Sequence, residues 1–254
     1  MIGELVSEMR LIVDHAREHD DVNGYFAAMY LGVTSTVEQG LAGGTFGSPD
    51  SLAELTTAFA RRYLDALTLH RRGGAPTASW QLAFDAAETW RPTVLQHLLL
   101  GMNAHINLDL GIACATVAPG TEISSIESDF VQINAVLAGL VQAVQSRLNR
   151  VSPLYRFVDD VGGEIDRSVV NFSIARARAE AWRFALTLAS MDQPAATARI
   201  EAQDRAVARL GARVLRPGPV ASTGMLAVRL TEKRHAADII TVLSDAASTD
   251  VREQ

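Results

Sequence analysis

Apolar residues recur every three to four positions along almost the whole chain, a spacing typical of amphipathic α-helices. Glycine pairs, prolines and clusters of polar residues interrupt this spacing and mark where each run ends. The helices predicted in this way cover residues 2–19, 24–41, 51–72, 77–90, 92–117, 124–150, 163–190, 195–210 and 225–246. The pattern therefore predicts an all-α protein, a single-domain multi-helix bundle around a buried central helix over about 92–117.

Local signals set several of these boundaries. Ser51 followed by Glu54 matches a capping box, which predicts that a helix begins there. Pro92 suits the first position of the central helix, where its missing N–H costs no hydrogen bond. Residues 211–224 have the composition of a loop, and the alternation in MLAVRL, which follows, leaves a short strand open.

The length of 254 residues is compatible with one large domain or with one domain and a small appendage. We expect residues 1–192 to form the bundle core and residues 193–254 to form a C-terminal helical extension packed on the same domain. Hydrophobic residues make up 48% of the 254 positions, enough for a sizeable core without disulfides or metals. The net charge is −6 and the basic residues are scattered, which disfavours nucleic-acid binding. The Ala- and Arg-rich, Lys-poor composition is typical of a GC-rich bacterial genome.

Further compositional features favour a cytoplasmic protein without membrane contact. The N-terminal residues lack a cationic segment followed by an apolar run, so they do not resemble a signal peptide. Polar residues interrupt the apolar runs before the roughly 20 positions that a membrane span needs. A single cysteine, Cys114, excludes an intramolecular disulfide and a zinc site built from several thiolates.

The stretch NAHINLDL, residues 103–110, places hydrogen-bonding side chains inside the predicted central helix. At about 100° per residue these side chains separate into two stripes on roughly opposite sides of the helix. One stripe holds groups that bind metals or move protons: His97, His105 and Asp109. The other holds mainly amides: Gln96, Asn103, Asn107 and Cys114. Gly101, on the first stripe, indicates that something approaches the backbone closely there.

Buried polar groups cost free energy unless they find partners, so these stripes need an explanation. In one interpretation they are satisfied core residues that fix the register of neighbouring helices. In the other, the stripe with His105 lines a cavity and the amide stripe locks the helix in place. We expect the second, with His97, His105, Asp109 and Asp166 as catalytic candidates and Asn103, Asn107, Asn134, Tyr30 and Arg178 as substrate-binding candidates.

Two kinds of chemistry suit these residues. His105 and Asp109, at i and i+4, form a two-ligand half-site for a divalent ion such as zinc or manganese. His97 would add a third ligand only on a distorted helix. Without a metal, His105 would act as a general base oriented by Asp109. The sequence has no HExxH, paired ExxH, GxGxxG, P-loop or GxSxG motif.

The run LLLGMNAHINLDL, together with FAAMYLGVTSTVEQG, FARRYLDAL and ASWQLAF, resembles an uncharacterised bacterial family common in actinobacteria, over about residues 20–190. The resemblance makes the polar helix the family's hallmark, through an NAHINxDL-type signature, but implies no reaction. Locally, the HxxxD of His105 and Asp109 is similar to part of the motif of zinc-dependent phospholipase C and P1 nuclease. The later proline-x-histidine and the N-terminal tryptophan of that motif are missing here.

The sequence thus favours a small-molecule enzyme with a polar pocket beside the central helix. Metal-assisted hydrolysis and a metal-free acid–base cyclase or isomerase of bacterial secondary metabolism are both open. A non-catalytic ligand-binding or interaction protein with a structural polar helix is the alternative from another class. The expected partner is a small molecule, a homodimer is left open, and the cofactor is either a divalent metal (Zn or Mn) or none.

Overall fold

The computed structural model describes residues 2–152, 154 and 174–245, and in these residues it contains eleven α-helices and no strand. The all-α prediction is confirmed. The helices are α1 (Ile2–Glu18), α2 (Gly24–Ala42), α3 (Pro49–Arg71), α4 (Ala78–Ala87), α5 (Val94–Ala104), α6 (Leu110–Val117), α7 (Glu127–Val151), α8 (Ile174–Ala189), α9 (Gln193–Leu215), α10 (Pro219–Thr231) and α11 (Ala236–Ser244). A π-helical segment, His105–Asp109, joins α5 to α6, and a 3-10 helix, Gly120–Ile126, precedes α7.

The central helix is the continuous stretch Val94–Val117, formed by α5, the π segment and α6. Helices α2, α4 and α9 lie around its first half, α3 packs against the π segment and α6, and α8 packs along α6. Within the described residues it is the one helix long and apolar enough to cross a membrane, so the expectation that polar residues interrupt it too early is wrong. Because 83% of its most apolar window is buried inside the bundle, it is a core helix here.

The N-terminal ends of two helices differ from the prediction. Helix α3 begins at Pro49 with Ser48 as its N-cap, and the Ser51 hydroxyl instead donates to Asp129 Oδ2 of α7 at 2.6 Å. The central helix begins after Pro92, with Thr93 as its N-cap and Gln96 completing the capping box. The capping box therefore lies at the start of the central helix, whereas Ser48 makes no side-chain capping hydrogen bond at the start of α3.

The C-terminal part is more helical than predicted. Helix α9 continues to Leu215, and the predicted loop shrinks to residues 216–218. Gly218, with a φ of 106°, makes the turn, and Pro219 then starts α10 at a position where no N–H is needed. The possible strand is helical, because MLAVRL lies within α10. Of the predicted helix 163–190, the part before Ile174 lies outside the described residues.

The amide stripe attaches the central helix to α9. Asn103 Nδ2 donates to the backbone carbonyl of Val207 at 2.9 Å, and Gln96 Nε2 donates to that of Val214 at 2.8 Å. Asn107 Nδ2 donates to Asn103 Oδ1 at 3.0 Å, so these amides support one another. This stripe locks the helix in place, and its polar atoms are satisfied by α9 rather than by a cavity.

Candidate functional site

The site is built on a local irregularity of the central helix. In the π segment, the N–H of Leu110 donates to the carbonyl of His105, an i to i+5 bond instead of the usual i to i+4 bond. Such single-turn π segments are rare and occur frequently at functional sites. The irregularity spans the two residues of the HxxxD motif, His105 and Asp109, and aligns their side chains on one face.

His105 and Asp109 form a buried hydrogen-bonded pair. His105 Nδ1 lies 3.1 Å from Asp109 Oδ2, and the two side chains are 3% and 0% exposed. A carboxylate can only accept, so Nδ1 carries the proton and Nε2 carries the lone pair. Two further donors hold Asp109: the indole Nε1 of Trp80 reaches Oδ2 at 2.8 Å and the Nε of Arg62 reaches Oδ1 at 3.3 Å.

Aromatic rings from three helices surround the imidazole. The ring of Phe59 stacks on His105 at 3.7 Å and an interplanar angle of 6°, and the ring of Tyr30 meets it edge-on at 4.5 Å. Three more rings have centroids between 5.7 and 6.4 Å from the imidazole. We call the five rings the aromatic box: Phe26, Tyr30, Phe59, Tyr63 and Trp80. The box presents apolar faces to the pair.

Gly101 allows the box to approach the central helix. A Cβ placed on Gly101 would collide with the ring of Phe26, so any side chain there would displace that ring. Phe26 in turn makes edge contacts with the rings of Tyr63 and Trp80. The close approach that the sequence indicated at this glycine is therefore that of an aromatic ring from α2.

Two buried polar atoms of this cluster have no hydrogen-bond partner among the described residues: His105 Nε2 and the hydroxyl oxygen of Tyr63. Burial lowers the pKa of His105, a shift that its bond to Asp109 opposes only in part. The imidazole is therefore neutral at pH 7, with the lone pair of Nε2 free. Burial likewise raises the pKa values of Tyr30 and Tyr63, so both phenols are protonated. Unpaired buried polar atoms are uncommon and require an explanation.

The structure does not bring all of the predicted site residues together. Tyr30 joins His105 and Asp109, whereas Asn103 and Asn107 face α9 on the other side of the helix. His97 lies against the ring of Tyr25, at a centroid distance of 5.8 Å, and burial lowers its pKa to about 4.

Three predicted site residues remain: Arg178, Asp166 and Asn134. Arg178 is a partly buried residue of α8. Asp166 and the side chain of Asn134 lie outside the described residues. The proposed roles of these residues remain predictions.

Arg62, Phe59 and Trp80 are site residues that the helical periodicity did not single out. On α3 and α4 they look like one surface arginine and two core aromatics. A signal for them was present, since they lie in the FARRYLDAL and ASWQLAF segments of the family resemblance. Phe26 and Tyr30 belong to the FAAMYLG segment, so the segments that carry the resemblance converge on His105 in space.

The donor set fits a metal ion poorly. A catalytic zinc usually has three protein ligands, and the described residues contain no group of three His, Cys, Asp or Glu side chains placed to hold a metal. Both oxygens of Asp109 already accept hydrogen bonds from Trp80, Arg62 or His105. The pair is arranged as a hydrogen-bonded dyad rather than as two ligands converging on one ion.

Comparison with known proteins places the site in a family. A family model described as a family of unknown function, DUF5995, matches residues 2–217 and so includes the dyad, the aromatic box and α9. No curated protein and no solved structure gives a significant match to the chain.

Proposed function

The chain belongs to the DUF5995 family, and we propose that it is a small-molecule enzyme in which His105 acts as a metal-free general base. The observation that carries the proposal is a buried imidazole whose Nδ1 is held by Asp109 and whose Nε2 has no partner in the part of the chain that the structure describes. Trp80 and Arg62 hold Asp109 in turn. A base oriented by a carboxylate that is itself anchored is the arrangement that acid–base catalysis needs.

Each group has a defined task in this mechanism. Nε2 removes a proton from the substrate, and the negative charge of Asp109 stabilises the imidazolium that forms. The same Nε2–H then returns the proton to the substrate at another atom or to a product, so no redox partner is needed. A positioned base of this kind contributes about 10²- to 10⁴-fold to a rate. An isomerisation or a cyclisation fits this proton balance.

The surroundings favour an apolar substrate. The aromatic box supplies ring faces and edges, which suit flat or hydrocarbon groups. Because His105 is 3% exposed, a substrate must displace side chains to reach Nε2. The metal-assisted hydrolysis that the HxxxD spacing suggested receives less support, because both oxygens of Asp109 already accept hydrogen bonds from protein donors. We place this activity in the bacterial cytoplasm, with a homodimer left open.

A non-catalytic ligand-binding role is the second candidate. It is favoured by one observation, the tight stacking of Phe59 on the imidazole at 3.7 Å, which holds the base in a closed box. In that case Nε2 would accept a hydrogen bond from a bound ligand and transfer no proton.

A general probe of buried bases separates the two candidates. With 5-nitrobenzisoxazole, a base removes the ring C–H proton as the N–O bond breaks, and the nitrile phenolate that forms is coloured. We expect the wild-type chain to accelerate this opening and His105→Gln to abolish the acceleration. The rate should rise with pH through a midpoint below 6.5, since burial lowers the pKa of His105.

The matched control is His15→Gln, which alters an exposed histidine of α1 and should leave the rate unchanged. Circular dichroism melts of each variant report whether the fold is kept. Equal rates for the wild type and His105→Gln would contradict the proposed base.

A further inference from the structure

Arg62 connects the buried dyad to the surface. Its side chain is 37% exposed, whereas the carboxylate it contacts on Asp109 is 0% exposed. The contact uses Nε, at 3.3 Å, so with respect to the described residues the four N–H groups of the two terminal nitrogens are left for other acceptors. The neighbouring Arg61, in contrast, uses a terminal nitrogen on Glu8 at 2.7 Å. Among the described residues, the only ion-pair partner of Arg62 is Asp109.

We propose that Arg62 binds a carboxylate of the substrate through its two terminal nitrogens, so that the substrate is a small apolar carboxylic acid. This inference rests on the proposed function of the same site. The planar guanidinium offers parallel N–H groups that match a carboxylate in a bidentate pair. The acid group would lie at the exposed end of Arg62 and the apolar part among the rings around His105.

The charges of the site support an anionic substrate. Before reaction, Arg62 and Asp109 cancel and His105 is neutral. When Nε2 takes a proton from the substrate, the new charge on the substrate balances that of the imidazolium, but Arg62 repels the imidazolium in a largely buried setting. A substrate carboxylate on Arg62 offsets this repulsion. It thereby favours proton transfer to His105.

The charge of the site also favours a carboxylate over a phosphate as the acidic group of the substrate. Within the described ranges, the charged groups that act on His105 are Asp109 and Arg62, so these residues offer a single cation to an incoming anion. A phosphate monoester carries up to two negative charges at neutral pH and would leave an excess negative charge beside Asp109. The single positive charge of one guanidinium matches the single negative charge of a carboxylate.

The test uses 3-phenylpropionate as the probe and the full chain as the protein. Binding is followed by NMR through the His105 imidazole signals. We expect 3-phenylpropionate to bind the wild type and shift those signals, and Arg62→Gln to weaken binding by about tenfold or more. The neutral 3-phenylpropionamide and phenyl phosphate should bind more weakly than the acid.

Two matched variants keep the result interpretable. Arg61→Gln removes the adjacent arginine and should bind the acid as the wild type does. Arg62→Lys keeps the charge but not the bidentate edge, so it should also bind the acid more weakly than the wild type does. This variant replaces Arg62→Gln in the test if Arg62→Gln does not fold. The bound acid should raise the pKa of His105 in the wild type and not in Arg62→Gln.

Equal affinities of the acid for the wild type and Arg62→Gln, or of the acid and the amide for the wild type, would overturn the inference. That failure is distinct from failure of the proposed base, because the opening of 5-nitrobenzisoxazole, a neutral probe, requires His105 and no carboxylate. Loss of acid binding in Arg62→Gln with no activity toward the neutral probe would keep the binding site and remove the base.

Discussion

Asp109 is the residue on which the site depends. Its two oxygens accept hydrogen bonds from His105, Trp80 and Arg62, so helices α3 and α4 and the π segment are joined at one carboxylate. A buried carboxylate is tolerated when donors surround it and a cation offsets its charge. Because the side chain is 0% exposed, any substitution must satisfy the same donors without help from water.

Asp109→Asn tests this role. The new amide would point a donor at Trp80 or His105, leaving at least one buried N–H without an acceptor, which costs about 1–3 kcal/mol of the free energy of unfolding. Urea unfolding monitored by fluorescence measures the loss. Asp65→Asn, on an exposed position of α3, is the matched control and should change stability by less than about 0.5 kcal/mol. Equal losses in both variants would contradict the role of Asp109.

His97 gives the fold a dependence on acid. Burial lowers its pKa from an ordinary 6.5 to about 4, so the unfolded chain takes up this proton at a higher pH than the folded chain. The stability contributed by a neutral His97 is complete above pH 6.5 and is lost as pH falls toward 4. Between pH 7 and pH 5 the loss is up to about 2 kcal/mol.

The measurement is urea unfolding at several pH values for the wild type and His97→Gln. The glutamine variant should lose less stability on acidification across that range, whatever its absolute stability. Identical pH dependence in the two proteins would show that His97 titrates normally.

At the scale of elements, periodicity alone gave most of the helices and both polar stripes. It correctly separated the amides from His105 and Asp109, because helical geometry fixes which side chains share a face. The periodicity did not reveal the π segment. The additional residue per turn in this segment is set by packing in the folded chain and leaves no signal in the composition. The periodicity also missed Arg62 and Trp80, because partners on other helices are set by packing rather than by local spacing.

We expect substitutions in the amide stripe to change the stability of the fold and to leave the environment of His105 and Asp109 unchanged. Asn103→Ala removes the donor to Val207 and the acceptor of Asn107, and should lower the free energy of unfolding by about 1–3 kcal/mol. The NMR signals of His105, on the other side of the helix, should stay where they are. Asn107→Ala, at a half-buried position, should cost less. A large shift at His105 in Asn103→Ala would contradict the separation of the two stripes.

At the scale of the whole molecule, the core extends beyond the family match. The match ends at residue 217, yet α11 contributes Ile239, Ile240 and Leu243, each at most 1% exposed. Helix α11 packs against α1 and α2, and Ile240 fits against Gly24, where a Cβ would collide with it. The residues after 217 therefore complete the hydrophobic core of the bundle.

A chain ending at residue 217 should consequently lose its cooperative unfolding transition. Fully burying one isoleucine or leucine contributes about 1.5–3 kcal/mol, so three of them approach the 5–15 kcal/mol by which domains are stable. Thermal circular dichroism and gel filtration measure the effect. As point variants, Ile240→Ala should cost about 2–5 kcal/mol and Leu230→Ala, 72% exposed, less than about 0.5 kcal/mol. An unchanged melt of the shortened chain would contradict this role of α11.

The bond between Asn103 and Val207 spans 104 positions, which has a consequence for synthesis. A ribosome adding about 5–20 residues per second makes the central helix about 5–20 s before the α9 carbonyl that Asn103 binds. During that interval the face of an otherwise membrane-like helix meets water. We expect the amides to keep that face hydrated until α9 is made, and thereby to limit aggregation of the growing chain.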